Sequence, residues 1–150
     1  MHSFQSVQIL LVEDNPDDVE ITTRALAKSR IGNGLAVVRD GQEALDYLRR
    51  EGDYGGNPDL PRPDLVLLDI NLPRVNGLEV LARIRSDKAI ARLPVIMLTA
   101  SSQEEDIVRS YDAGANSFIQ KPVEFEKFVH ALEVIGEYWL VVARLPPKVA

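Results

Sequence analysis

Residues 65–69 read Leu-Val-Leu-Leu-Asp, an unbroken apolar run that ends in a carboxylate. Residues 9–14, Ile-Leu-Leu-Val-Glu-Asp, repeat the arrangement with two acids. Apolar runs without alternation are typical of strands that are buried on both faces of a parallel sheet. If the two strands are neighbours, Asp69 meets Glu13 and Asp14, and mutual repulsion raises the pKa of at least one carboxyl. A divalent cation resolves that conflict, and Mg²⁺ binds through a few carboxylates, phosphate oxygens and water.

Short apolar runs alternate with amphipathic segments along the chain. We predict strands at residues 7–12, 35–38, 65–68, 95–98 and 117–119. The segments between them carry apolar residues at helical spacing, as in Leu78, Leu81 and Ile84. Strands that alternate with helices predict a parallel sheet with right-handed crossovers and helices on both faces. The expected fold class is therefore α/β, a doubly wound five-stranded parallel sheet.

Local signals set several boundaries of these elements. Asn15-Pro16 is typical of a helix start, and Asn76-Gly77 indicates a turn. Residues 51–63 contain three glycines and three prolines, so they can form neither a long helix nor a central strand. We expect a surface loop there, and a plain connector is favoured over a recognition loop.

Composition limits the classes of function. The chain has 150 residues, of which 45% are apolar, and this is the length of one domain. A formal net charge of -6 argues against nucleic-acid binding, which depends on lysine and arginine contacts to phosphates. No cysteine is present, so disulfides and zinc–thiolate sites are excluded. Without a charged-then-apolar leader or an apolar run of spanning length, we expect a cytoplasmic protein without a membrane segment.

Polar residues follow the other strands at the same edge of the predicted sheet. In a doubly wound sheet of order 2-1-3-4-5, ligands bind beyond the carboxyl ends of strands one and three, the two that carry the acids. Thr99 follows the fourth strand, and Lys121 precedes Pro122 after the fifth. A hydroxyl and an ammonium group therefore join the three carboxylates in the expected site.

These motifs together resemble the receiver domain of two-component response regulators, of the CheY-like kind with a flavodoxin-like fold. The resemblance spans about residues 7 to 135 and implies one receiver domain over 1–150, with a C-terminal arm at about 136–150. The motifs that carry it are Val12-Glu13-Asp14-Asn15, Leu68-Asp69-Ile70-Asn71-Leu72-Pro73, Asn76-Gly77, Leu98-Thr99-Ala100 and Lys121-Pro122.

The resemblance implies that Asp69 accepts a phosphoryl group from the phosphohistidine of a histidine kinase. It also implies a Mg²⁺ site formed by Glu13, Asp14, Asp69 and the backbone carbonyl of Asn71. Lys121 would supply a point charge to one phosphoryl oxygen. Such a protein is a self-catalysed phosphoacceptor that can also lose its own phosphoryl group, rather than an enzyme.

Three further residues acquire roles from the same resemblance. The hydroxyl of Thr99 would donate to a second phosphoryl oxygen and move inward when the acyl phosphate forms. Phe118 matches the aromatic switch residue of the family, and burial of its ring would report the active state; plain core packing is the alternative. The bond between Lys121 and Pro122 is expected to be cis, which proline permits at a cost of roughly 0.5–1 kcal/mol.

Two alternatives to a phosphorylated receiver deserve comparison. Phosphatases of the haloacid dehalogenase kind also combine aspartate, threonine, lysine and Mg²⁺, but they carry a second acid where this chain has Asn71, and their metal-binding acids come late in the chain. A degenerate receiver that acts only as a binding module is the other alternative, and the full set of phosphotransfer residues argues against it. His2 and His130 lack metal-ligand spacing, so we interpret both as surface residues.

The C-terminal segment is apolar on most faces. Tyr138, Trp139, Leu140 and Val142 would form an exposed patch in a monomer, and such patches usually mark interfaces. We expect a symmetric homodimer through the fourth helix, fifth strand and fifth helix, with this segment as an arm; folding back over its own sheet is the alternative. The tail and the proline-rich loop also resemble small stand-alone receivers that partner phytochrome kinases, so the expected kinase is a bacteriophytochrome.

Overall fold

Five parallel strands form one sheet in the order β2-β1-β3-β4-β5 in the computed structural model, which confirms the fold expected from the sequence. The structure describes residues 8–28, 34–110 and 114–135. The strands are β1 (Ile9–Val12), β2 (Leu35–Val38), β3 (Leu65–Asp69), β4 (Val95–Thr99) and β5 (Ser117–Gln120).

Helices connect the strands, as the alternating pattern predicts. They are α1 (Pro16–Ala27), α2 (Gly41–Arg49), α3 (Gly77–Ser86), α4 (Ser102–Ser110) and α5 (Phe125–Ile135). The glycine- and proline-rich stretch before β3 is a surface loop apart from one 3₁₀ turn at Gly52–Tyr54. In the portion of the chain described, no helix combines the length and the apolar character that crossing a membrane requires.

Asparagine side chains cap the amino ends of the two helices that flank the acidic edge. The Asn15 side chain accepts hydrogen bonds from the backbone N–H groups of Asp17 and Asp18 and so caps α1. Asn76 accepts from the Glu79 N–H at 3.0 Å in the same way. The prediction of a turn at Asn76-Gly77 is therefore wrong, because the pair begins α3.

The hydrophobic core lies on both faces of the sheet. Leu11 and Leu67 belong to the cluster that packs under α1 and α5, whereas Leu10, Val66 and Leu68 belong to the cluster under α2, α3 and α4. Successive strand residues face opposite sides, so a strand covered on both sides must be apolar throughout. Burying each leucine contributes about 1.5–3 kcal/mol.

The strands β3, β4 and β5 each extend one residue further than the apolar runs. Asp69 is the last residue of β3 and pairs with Leu98 in the ladder. Thr99 ends β4, and its carbonyl accepts the Lys121 N–H at 2.8 Å. Both side chains are therefore held by the rigid sheet rather than by a loop.

Arg85 ties together the opposite edge of the sheet. From the end of α3, its guanidinium donates to the carbonyls of Leu93 at 2.6 Å and Ala91 at 3.2 Å. It also donates to the Gly114 carbonyl at 2.9 Å and the Asn116 side chain at 2.7 Å. The segments that lead into β4 and β5 are thus fixed by one side chain.

Candidate acidic metal and phosphoacceptor site

The three acids predicted from the strand ends converge. β1 pairs with β3 so that Val12 lies opposite Leu68, which places Glu13 next to Asp69. Glu13 and Asp69 are buried, with 0% and 4% of their surface exposed, whereas Asp14 is exposed. One oxygen from each of the three carboxylates lies within 4.8 Å of the others. This oxygen-only donor set fits a hard divalent cation.

Lys121 reaches the same acids from the loop after β5. Its Nζ lies 2.7 Å from Glu13 Oε1, 3.1 Å from Asp69 Oδ2 and 3.1 Å from Asp18 Oδ2. The peptide bond between Lys121 and Pro122 is cis. One ammonium group is therefore shared by three carboxylates from three different elements.

The acidic cluster has more negative charge than Lys121 neutralises. Burial raises the pKa of Glu13 to about 7, with Asp69 adding to the shift and Lys121 opposing it. A raised pKa in this cluster agrees with the prediction in direction, but its main cause is burial rather than repulsion between the carboxylates. Burial alone would lower the pKa of Lys121, but Glu13, Asp69 and Asp18 outweigh it, so its pKa lies above the ordinary value and the group stays charged.

Thr99 brings a buried hydroxyl to the same edge. The residue is 0% exposed, and its Oγ1 finds no hydrogen-bond partner among the residues that the structure describes. Leaving a buried polar group unsatisfied costs about 1–3 kcal/mol. The hydroxyl is therefore available to an oxygen that arrives from outside the chain.

Asp18 is part of the site but was missed by sequence reasoning. It lies in the first turn of α1, three residues after the capping Asn15, and it contacts Lys121 across 103 positions of sequence. Acids are favoured in the first turn of most helices because of the helix dipole. Nothing in the local pattern separates Asp18 from such a residue.

Glu104 connects the loops that follow β3 and β4. Its carboxylate accepts from the Asn71 side chain at 3.1 Å and from the Ala100 N–H at 2.7 Å. From the sequence alone, the acids at the start of α4 are explained by the helix dipole and solubility. The side chain of Asn71 is thus accounted for, whereas metal binding by its carbonyl stays a prediction.

Phe118 lies at the side of this edge, on β5. Its ring is half-buried, and the guanidinium carbon of Arg109 lies 4.3 Å from the ring centroid. His130 is exposed, as expected. The predicted interface residues Tyr138, Trp139, Leu140 and Val142, together with His2, lie outside the described residues.

A carboxylate cluster at the carboxyl edge of a 2-1-3-4-5 sheet, with a lysine and a buried threonine beside it, is the arrangement of a signalling receiver domain. The chain belongs to the response regulator receiver domain family, which matches it over residues 9–133. This membership disfavours the phosphatase alternative.

The chain is similar to several response regulators, two of which have phytochrome in their names. Response regulator Rcp1 of Synechocystis sp. is 37% identical over 92% of both chains. The structure of the bacteriophytochrome response regulator RtBRR is 48% identical, covers 95% of this chain and 86% of its own, and has a TM-score of 0.84. The phosphorylated cyanobacterial phytochrome response regulator RcpA is 43% identical over 95% of this chain and 100% of its own, with a TM-score of 0.72.

One of these relatives has a structure with a divalent metal ion bound. A structure of Rcp1 in its Mn²⁺-bound form is 37% identical, covers 93% of this chain and 98% of its own, and has a TM-score of 0.69. Mn²⁺ is a divalent cation that prefers oxygen ligands, and the carboxylate cluster described above offers such ligands.

Close backbone contact at Gly77 fixes the position of Asp69. A Cβ atom at Gly77 would lie 2.1 Å from the Asp69 carbonyl oxygen, so only glycine fits. We expect Gly77→Ala to lower the free energy of unfolding by about 1–3 kcal/mol, because the start of α3 must move away from β3. Urea denaturation followed by circular dichroism measures this change.

Gly55→Ala is the matched control for that substitution. A Cβ at Gly55 would meet its nearest neighbours at 3.4 Å, and the residue has a φ of -73°, which alanine adopts readily. Equal denaturation midpoints for the two variants would show that the contact between α3 and β3 is not tight.

Proposed function

We propose that Asp69 is the phosphoacceptor of this receiver and that Glu13, Asp14 and the carbonyl of Asn71 join it in binding Mg²⁺. The observation that carries the proposal is the position of Asp69 beside the Lys121 ammonium group and within the acidic cluster. Its carboxylate lies 3.1 Å from Lys121 Nζ and belongs to the acidic cluster that fits a cation.

The chemistry follows from the charges. A carboxylate oxygen of Asp69 attacks the phosphorus of a phosphohistidine, the P–N bond breaks, and its electron pair leaves with the imidazole. Two anions must approach each other, so positive charge at the transferring oxygens lowers the barrier. Lys121 supplies one such charge, and a cation held by Glu13, Asp14 and Asp69 would supply positive charge for the other phosphoryl oxygens. Thr99 then donates its free hydroxyl to an oxygen of the acyl phosphate.

Magnesium is the metal we assign to the site. The donors are carboxylate and carbonyl oxygens, which hard cations prefer, and Mg²⁺ usually keeps several waters and takes phosphate oxygens as further ligands. The Mn²⁺ in the Rcp1 relative supports this assignment, because both ions accept the same oxygen donors.

Incubation with acetyl phosphate and Mg²⁺ should add the mass of one phosphoryl group to the wild-type chain and none to Asp69→Asn. The amide of asparagine cannot form the acyl phosphate. Intact-mass spectrometry measures the labelling, and chelation of Mg²⁺ should abolish it.

Asp106→Asn serves as the matched control, since Asp106 is an exposed acid on α4 outside the acidic cluster. It should label like the wild type. Equal labelling of Asp69→Asn and Asp106→Asn would refute the assignment of the phosphoacceptor.

We assign the phosphoryl donor to a histidine kinase and, more narrowly, to a bacteriophytochrome in the cytoplasm. Membership of the receiver family supports the first part. The second part is supported by the similarity to RtBRR and RcpA, which are described as phytochrome-associated regulators.

The switch is assigned to Thr99 and Phe118. The Arg109 guanidinium covers the half-buried Phe118 ring and also pairs with Glu105 at 2.7 Å. Because the Arg109 side chain is largely exposed, it can move away from the ring. Phe118→Ala should label at Asp69 as the wild type does but lose any change in assembly that labelling causes. Light scattering with and without acetyl phosphate measures this; an unchanged response would remove Phe118 from the switch.

We also propose a symmetric homodimer through α4, β5 and α5, with residues 136–150 as an arm. Val134 on α5 is 59% exposed and Ile107 on α4 is 50% exposed, which supports an apolar face there. A chain truncated after Ile135 should have the mass of a monomer by light scattering, whereas the full chain has twice that mass. A truncated chain that stays dimeric would remove the arm from the interface.

A further inference from the structure

A cavity of about 570 Å³ lies at the amino edge of the sheet, opposite Asp69. Its walls are the end of α2, the segment 61–64 before β3 and the segment 88–94 before β4. Small-molecule sites in proteins typically measure about 300–1,000 Å³ and are mostly apolar. We call this cavity the amino-edge pocket; its apolar lining includes Tyr47, Leu48, Pro61, Ile90, Leu93 and Pro94.

Positive charge distinguishes this pocket from the rest of the protein. Four cationic residues line it, Arg50, Arg62, Lys88 and Arg92, against one acid, Asp64. The chain as a whole has a formal net charge of -6. A concentration of cations on an acidic protein attracts anions to that place.

Three of these cationic side chains have no acidic partner among the described residues. Within residues 8–28, 34–110 and 114–135, neither Arg62, Lys88 nor Arg92 forms an ion pair. Asp64, by contrast, accepts the Gln8 N–H at 2.9 Å, and the nearby Asp87 pairs with Arg49 at 3.4 Å.

Two arginines hold the walls of the amino-edge pocket in place. Arg50 donates to the Asn57 carbonyl at 3.0 Å and to the Leu60 carbonyl, which fixes the proline-rich loop to the end of α2. Arg85 fixes the opposite wall through the carbonyls of Ala91 and Leu93. These bonds also occupy carbonyl oxygens that would repel an anion. A wall that is already ordered loses little entropy when a ligand binds.

We infer that the amino-edge pocket binds a small organic anion, with an apolar body against Ile90 and the prolines and a carboxylate, phosphate or sulfonate group between Arg62 and Arg92. The volume of about 570 Å³ favours a compact molecule over an extended peptide. The ligand binds at the end of the sheet opposite the acidic cluster, so the two sites can be occupied together.

Anilinonaphthalene sulfonate is the probe for this proposal, because it joins an aromatic body to one anionic group. Fluorescence titration of the full chain should show saturable binding that weakens as salt is raised. The double variant Arg62→Ser/Arg92→Ser should bind roughly tenfold more weakly, equivalent to about 1.4 kcal/mol. Uncharged phenylnaphthylamine should bind both proteins equally.

The matched control is Arg24→Ser/Arg83→Ser, which removes the same charge from exposed positions on α1 and α3. It should bind the probe like the wild type, and all three proteins should label equally with acetyl phosphate, which shows that they are folded. Amide chemical shifts should change at residues 88–93 and not at the acidic cluster.

Equal affinity of the wild type and the pocket variant, or shifts that fall on another surface, would overturn the proposal. An acidic peptide that shifts the pocket amides while the small anion does not would overturn the assignment of the occupant. The labelling assay separates these failures from a failure of the phosphoacceptor assignment, because it does not depend on the pocket.

Discussion

The contact between the Lys121 ammonium and the carboxylates of Glu13, Asp18 and Asp69 is the constraint on which the acidic edge depends. It joins the ends of β1, β3 and β5 with the first turn of α1. Two of the three carboxylates belong to buried or nearly buried residues, where removing a charge partner leaves an uncompensated charge at a cost of several kcal/mol. The edge is therefore held together by the charges of the residues that form the candidate site.

The sequence predicts the sheet and the acidic cluster well, because both depend on short-range patterns. A short unbroken apolar run is typical of a strand covered on both sides, and the parallel order then brings Glu13, Asp14 and Asp69 to one edge. Asp18 and Glu104 were not predicted as site residues, because their contacts depend on how helices α1 and α4 approach loops that are distant in the chain.

The prediction of a turn at Asn76-Gly77 is wrong because this pair of residues is compatible with two local structures. Asparagine followed by glycine serves equally well in a turn and at the start of a helix. The choice is made by the close approach of Gly77 to the backbone of Asp69, which a linear pattern does not reveal. The C-terminal arm and its four apolar side chains lie outside the described residues, so the dimer still rests on the sequence and the exposed faces of α4 and α5.

The two edges of the sheet are held by different means. At the amino edge, Arg85 and Arg50 donate to carbonyl oxygens and hold the connecting segments at fixed positions. At the carboxyl edge, ionised side chains meet in a space that also fits a cation. The amino edge is therefore held by hydrogen bonds to neutral carbonyl oxygens, and the carboxyl edge by interactions between charged side chains.

The Thr99 hydroxyl has no hydrogen-bond partner within the described part of the chain, and this has an energetic cost. A buried polar group without a partner raises the free energy of that state by about 1–3 kcal/mol. An incoming oxygen that accepts from this hydroxyl would remove that cost, which corresponds to roughly 5- to 150-fold in an equilibrium constant. Held by the strand β4, the hydroxyl therefore favours any bound group that brings an acceptor oxygen to it.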